Sequence, residues 1–320
     1  MSVAAGAPIG TPVQRLRGRL VTGASWLVAR LPDPILDALA DVAGELWYRA
    51  DPARAARARR NLGRVCERLA AEGRGSLRAR RAAGDPAALE RLVRAASRQH
   101  ARYYVEVLRT AGAGREWIHG RIEMEDPASA DAAFATVGPM IVIGIHLGPL
   151  EVPAIYLADR LQRPTVVPME TIGDPVLQAW FERTRSLVGL RIVPIPAARA
   201  ALNEVLAAGG IAGLVADRDI AGGGVEVPFF GRPAPLPIGG ALAAVESGAP
   251  AWVMGARRLP GGRYAARVIR IPTPGEGRLR ERVVAFLTAQ AAAYEELIAA
   301  APEQWWSAFF PIWKDLEAGA

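Results

Sequence analysis

An α/β fold with a central, largely parallel sheet, an antiparallel edge hairpin and flanking helices is predicted for this chain of 320 residues. Three observations carry the prediction. From residue 84 onward short β-branched runs alternate with helical stretches, the pattern of successive βαβ units. The last two runs are joined by Pro260-Gly-Gly262, a tight-turn signal that makes them an antiparallel pair. The composition, 51% apolar and 22% charged, is enough to bury a full core at this length.

The elements follow in order. Val13, Leu16, Leu20, Ala24, Leu27 and Leu31 recur at three- and four-residue spacing with Arg15, Arg19 and Arg30 opposite, which predicts an amphipathic helix. Asp33-Pro34 opens a second helix, with Ile35, Leu39, Val42 and Leu46 on one face and an acidic stripe of Asp33, Asp37, Asp41 and Glu45. Asp51-Pro52 opens a third, capped by the aspartate, on which Arg57, Arg60, Arg64 and Arg68 align. A long helix is expected over 85–111 and a shorter one over 126–137. Strands are expected at 140–145, 165–167, 191–195, 211–216, 251–257 and 264–271. Helices fall between most of them, at 150–161, 175–188, 197–207 and 238–247, and a last helix covers 279–300. Residues 1–112 read as a basic, helical N-terminal region and 113–320 as the α/β core, continuous with it.

Charge divides the same way. Residues 1–112 carry twenty arginines against ten acids, net +10, whereas the remainder is net −3. Basic amphipathic helices suit an anionic bilayer surface, and no nucleic-acid-binding motif accompanies the arginines. The longest uncharged run, 132–150, is broken by Gly138-Pro139, Gly144, His146 and Gly148-Pro149, so it reads as helix, turn and strand. The N-terminus shows no secretory signal. The expectation is a peripheral protein on the cytoplasmic face of the membrane. A single Cys66 excludes an intrachain disulfide, and three scattered histidines leave too few ligands for zinc, so no metal is expected; His100 and His119 read as structural or solvated.

Two segments carry chemistry. Pro139-Met-Ile-Val-Ile-Gly-Ile-His-Leu-Gly-Pro-Leu-Glu151 is a strand running into a turn, and it delivers His146 at the carboxyl end of the strand, where α/β sheets display reacting groups. Glu151 follows five residues later. The second segment, Leu214 to Gly231, places Asp217, Arg218 and Asp219 directly after a buried strand. A carboxylate bonded to a histidine fixes its tautomer and raises its basicity, and Asp217, Asp219 or Glu226 could complete His146 in this way. Gly222 to Gly224 lack the Lys-Ser or Lys-Thr of a nucleotide loop.

The ordered set His146-x4-Glu151, Glu170, Phe181-Glu-x-x-Arg185-x3-Gly189, Ala216-Asp-Arg-Asp with Gly224-Val-Glu-Val-Pro-Phe-Phe-Gly231, and Pro302-Glu-x-Trp305 resembles the bacterial lysophospholipid and lipid A acyltransferases, in particular the branch that acylates phosphatidylinositol mannosides. The resemblance runs from Arg60-Asn-Leu-x-Arg64-Val to the tryptophan tail. It implies metal-free, cofactor-free transfer of a fatty acyl chain from acyl-CoA, with palmitoyl-CoA as the expected donor, to a mannose hydroxyl of a membrane glycolipid. In that reading His146 is the general base, Glu226 the carboxylate that orients it, and Glu151 the acid of the histidine-acid motif. Glu170, Arg185 and Arg218 line the acceptor groove or support the catalytic loop, and the amides of Leu147 and Gly148 face the developing oxyanion. One departure bears on the acceptor headgroup more than on the reaction: Gly148-Pro-Leu-Glu151 stands where many relatives have Asn-Trp before the acid. Two other readings are a lysophospholipid or lipid A-like acceptor, and a non-catalytic membrane-surface protein of the same fold.

Overall fold

The computed structural model describes residues 10–113, 115–186, 189–220 and 222–317. Five helices come first: α1 (Pro12–Val28), α2 (Asp33–Ala50), α3 (Pro52–Ala71), α4 (Leu77–Ala82) and α5 (Pro86–Thr110). Asp51 and Asp85 accept from Arg54 N and Ala87 N, so the aspartate-proline starts of α3 and α5 act as caps. Thereafter the chain runs α6 (Arg115–His119), β1 (Ile122–Met124), α7 (Pro127–Phe134), β2 (Met140–Gly144), α8 (Glu151–Leu161), β3 (Thr165–Met169), α9 (Pro175–Ser186), β4 (Leu190–Pro194), α10 (Ala198–Ala207) and β5 (Ile211–Val215). It ends with β6 (Val225–Phe229), β7 (Arg232–Leu236), α11 (Gly239–Ser247), β8 (Ala251–Arg258), β9 (Tyr264–Ile271), α12 (Leu279–Ala300), two 3-10 turns at Pro302–Gln304 and Trp306–Phe309, and α13 (Lys314–Glu317). Residues 187 and 188, where the sequence placed the end of α9, lie outside the described residues.

Seven strands form one sheet in the order β1-β9-β8-β2-β5-β3-β4, parallel throughout except for the β8/β9 hairpin. The hairpin is not at the edge, as the sequence suggested. The three-residue β1 pairs with β9 through Ile122–Met124 and covers it. β6 and β7 form a separate antiparallel ribbon. Along β2 the side chains alternate as the pleat requires: Ile141 and Ile143 enter one apolar cluster with α3, α5, α10, α11 and α12, while Met140 and Val142 enter another with α7 and α8. The first cluster holds residues from both the N-terminal helices and the sheet, so a shared core joins them. Helix α12 is long and apolar enough to cross a membrane by composition, but Phe286, Leu287, Tyr294 and Ile298 bury it against the core.

The first two helices dock through faces other than their apolar rows. Helix α1 buries Gly18 and Ser25, and α2 buries Leu36, Ala40 and Gly44. Gly44 lies so close to α5 that an added Cβ would stand 2.4 Å from the Arg98 Cα, which requires glycine there. Seams of mostly small residues therefore face the protein. The apolar rows Val13, Leu16, Leu20 and Leu27 of α1 and Ile35, Leu39, Val42 and Leu46 of α2 face outward, with Leu20 63% and Leu46 61% exposed.

The arginine row of α3 is met by acids. Arg57 and Arg60 pair with Glu317, Arg64 with Asp315 and Arg68 with Glu72, so this row is paired largely with acids of the C-terminal helix. The acidic stripe of α2 is likewise met from within: Asp33 by Arg109 and Arg121, Asp37 and Asp41 by Arg102, and Glu45 by Arg94.

Candidate active site

The parallel register of β2 and β5 assembles the centre. Gly144 is opposite Val215, and the same register continued two residues past both strand ends sets His146 beside Asp217. The Nδ1 of His146 lies 2.6 Å from Oδ1 of Asp217, and the backbone N–H of His146 donates to the same oxygen at 3.3 Å. With the carboxylate accepting at Nδ1–H, Nε2 is the basic nitrogen. Trp305 donates its indole N–H to the other oxygen, Oδ2, at 2.9 Å. Asp217 is fully buried. Burial pushes its carboxyl up, but the charge and hydrogen bond of His146, with the hydrogen bond from Trp305, outweigh it and hold the group below the ordinary carboxylate range.

The C-terminal segment fastens this centre from outside the sheet. Gly148 N–H donates to Gln304 O at 2.9 Å, Trp306 N–H donates to His146 O at 3.0 Å, and Leu147 bridges Trp305 in antiparallel sense. Gly148 has φ of +54°, and a Cβ there would approach Ala256 O to 2.5 Å, so the tight passage excludes any other residue. From beneath, Tyr294 on α12 donates to Gly144 O at 3.2 Å, and Gln290 donates to Tyr294 Oη at 3.0 Å. The ring of Trp306 meets His146 edge to face at 4.2 Å and stacks on Tyr103 at 4.6 Å and His100 at 5.2 Å; His100 in turn stacks on Trp47 of α2 at 5.0 Å. An aromatic column thus runs from the histidine to α2. His100 accepts from Arg54 at Nδ1, 2.9 Å away, and burial together with the charge of Arg54 and His146 lowers it to about 3, so it stays neutral.

The other sequence-derived site residues fall around this pair. Glu151, first in α8, does not contact His146 but accepts from Arg185 at 2.8 Å and from Tyr103 Oη at 3.4 Å. Glu226, expected to orient the histidine, is on β6 and pairs with Lys314 at 2.7 Å with half its side chain exposed. The reason is topological: β6 leaves the main sheet for the two-stranded ribbon, while Asp217 stays at the end of β5. Asp219 accepts from Gly224 N at 2.8 Å and closes the glycine loop. Arg218 lies over the Phe310 ring at 4.1 Å and 3.6 Å from Glu170. The amides of Leu147 and Gly148 are already engaged, by Ile145 O at 2.7 Å and by Gln304 O, and neither is free for an oxyanion. Glu151 Oε2 and Arg218 Nε are buried without a partner among the described residues, one acceptor and one donor beside the centre. Sequence reasoning missed the contributions of Trp305 and Tyr103. Only the Pro302-Glu-x-Trp305 pattern hinted at the first.

A buried carboxylate bonded to Nδ1 of a histidine at the carboxyl end of parallel strands leaves Nε2 able to accept a proton. The sequence matches bacterial lipid A biosynthesis acyltransferases over residues 13–315, and the chain belongs to that family. It is 31% identical over 123 residues to the phosphatidylinositol mannoside acyltransferase of Mycobacterium tuberculosis, covering 37% of this chain and 39% of that protein. To the phosphatidylinositol mannoside acyltransferase of Mycolicibacterium smegmatis it is 29% identical over 166 residues, covering 49% of this chain and 53% of that protein. The chain therefore spans less than two thirds of either relative.

Proposed function

We propose that this protein transfers a fatty acyl group from acyl-CoA, palmitoyl-CoA in the first instance, to a mannose hydroxyl of a phosphatidylinositol mannoside at the cytoplasmic face of the membrane. The observation that carries the reading is the His146–Asp217 pair within a family of acyltransferases. His146 Nε2 takes the hydroxyl proton as the oxygen attacks the thioester carbonyl; the tetrahedral adduct collapses, and the departing CoA thiolate takes the proton back from the imidazolium. A positioned base contributes roughly 10² to 10⁴ in rate to such a step. Glu151 Oε2 and Arg218 Nε supply unmet polar groups suited to a sugar ring. No metal or other cofactor enters this scheme.

Membrane association belongs to the same proposal. The outward apolar rows of α1 and α2 form the lipid-facing surface, and the aromatic column from Trp306 to Trp47 connects that surface to His146. The bilayer holds the acceptor's tails while its sugar enters the groove, which converts an encounter in solution into an oriented one. The test is mass spectrometry of products from palmitoyl-CoA and mannosylated phosphatidylinositol in vesicles. One added palmitoyl on the mannose, with CoA released, supports the reading. Acylation confined to a lysophospholipid glycerol hydroxyl moves the acceptor, and absence of acyl-CoA turnover with either acceptor overturns it.

A further inference from the structure

We propose that Trp305 is a positioning residue of the acyl-transfer centre, acting through Asp217: its indole N–H fixes the carboxylate facing His146 and takes up part of its charge. This rests on the reading of His146 as the base and extends it to a residue that touches no reacting atom. The geometry is specific. At one oxygen Asp217 meets the His146 ring at 2.6 Å and the His146 backbone N–H at 3.3 Å, and at the other it meets Trp305 at 2.9 Å, with the Ser307 side chain also helping to hold the carboxylate charge; Trp305 is the indole that fixes the second oxygen. Without Trp305, the oxygen it meets would be left to the Ser307 side chain alone, in a site closed to water.

Trp305 is itself held with little freedom. It is fully buried, lies edge to face with Phe229 at 5.8 Å and Trp313 at 6.2 Å, and its backbone bridges Leu147, the neighbour of His146. The same residue thus clasps both members of the pair, one through its side chain and the other through its strand partner. Tryptophan suits the position because it brings a donor and no acceptor to a wholly apolar surround.

The electrostatic consequence has a definite sign. An N–H donor at Oδ2 disperses the charge that His146 sees; without it the carboxylate attracts the imidazole proton more strongly, and a base that holds its proton more tightly is idle up to a higher pH. The other titratable and charged groups around the pair are Arg218 beside Asp217, Glu170 against Arg218, Tyr294 from α12, His100 and Tyr103 from α5, and the Glu151–Arg185 pair from α8 and α9.

The experiment compares Trp305→Phe with Trp313→Phe in the full chain. Trp313 is equally buried in the same aromatic cluster but donates to Phe229 O at 3.2 Å, away from the pair. For Trp305→Phe the acid limb of the kcat/KM profile is expected to move up by about half a pH unit or more, and the His146 imidazole resonances, in a chain of three histidines, to move their titration midpoint the same way. Trp313→Phe should lower Tm and leave both midpoints where they are. A wild-type profile for Trp305→Phe, or an equal displacement in Trp313→Phe, overturns the assignment. Should the phenylalanine variant not fold, benzothienylalanine at 305 keeps the shape and removes only the N–H, and the same displacement is expected. Full activity in His146→Ala would instead defeat the proposed function, so the two failures are distinguishable.

Discussion

Asp217 is the residue on which the proposed chemistry turns, because a carboxylate can orient His146 only while ionised, and burial opposes ionisation unless the surrounding donors outweigh it. Asp217→Asn should therefore keep the fold while offering the ring a neutral partner, and turnover should fall at least about a hundredfold, comparable to His146→Ala. Glu226→Gln should stay within about threefold of wild type, since among the described residues Glu226 pairs with the exposed Lys314; steady-state rates of the three variants on one acceptor check the ordering, and a collapse in Glu226→Gln alone would restore the pairing inferred from family resemblance. His100 makes a different prediction. Its folded form resists protonation down to about 3, whereas the unfolded chain takes up a proton below the ordinary histidine value of 6.5, so stability is lost as pH falls through that window. Between pH 6.5 and 5 the loss is on the order of 2 kcal/mol. Chemical denaturation at the two pH values should show it, and His100→Gln should flatten the dependence.

At the level of elements, what a sequence shows depends on which property sets the packing. Apolar periodicity located α1 and α2 but left their orientation open, because the faces that dock, Gly18 with Ser25 and Leu36 with Ala40 and Gly44, are mostly small and carry a weaker hydrophobic signal than the outward rows. Gly44→Leu should accordingly destabilise the protein by about 2 kcal/mol or more through collision with the α5 backbone, whereas Leu20→Glu with Leu46→Glu should leave Tm within about two degrees and weaken vesicle binding at least tenfold. Thermal scans and vesicle co-sedimentation separate the two effects; equal losses of Tm would mean that the outward rows belong to the core. The histidine strand and its successor were legible for the opposite reason, since Met140 to Ile145 and Ile211 to Ala216 are continuous apolar runs ending in charged or ionisable groups. β1 is too short to show alternation. β6 and β7 hold Pro228, Pro233 and Pro235, which deny them a place inside the main sheet and leave a two-stranded ribbon, carrying Glu226 away from His146. The choice among Asp217, Asp219 and Glu226 thus needed the β2/β5 register, which depends on contacts seventy-one residues apart and not on local spacing.

Across the whole molecule, the net charge of +7 and the concentration of arginine in residues 1–112 suggest a surface held to lipid by charge, yet many of those arginines are engaged in ion pairs within the protein. The arginine row of α3 is tied largely to the C-terminal acids, and Arg94, Arg102 and Arg109 serve the acidic stripe of α2. On α1, Arg15, Arg19 and Arg30 have no carboxylate partner among the described residues. At about 1 kcal/mol for each basic residue near an anionic surface, three of them supply about 3 kcal/mol, and salt at physiological strength screens beyond about 8 Å. The outward rows of α1 and α2 present eight large apolar side chains, each roughly half exposed or more, and at about 1 kcal/mol apiece their insertion supplies about 8 kcal/mol. The apolar contribution is therefore the larger. Binding to neutral phosphatidylcholine vesicles should persist within about a hundredfold of binding to anionic ones at low salt, and the difference should shrink to about tenfold or less at high salt, as co-sedimentation across a salt series would measure. Complete release from neutral vesicles would mean that arginines, freed from their internal partners, carry the attachment; in that event Asp315→Asn with Glu317→Gln should strengthen binding to anionic vesicles, whereas attachment through α1 and α2 leaves those variants bound as wild type.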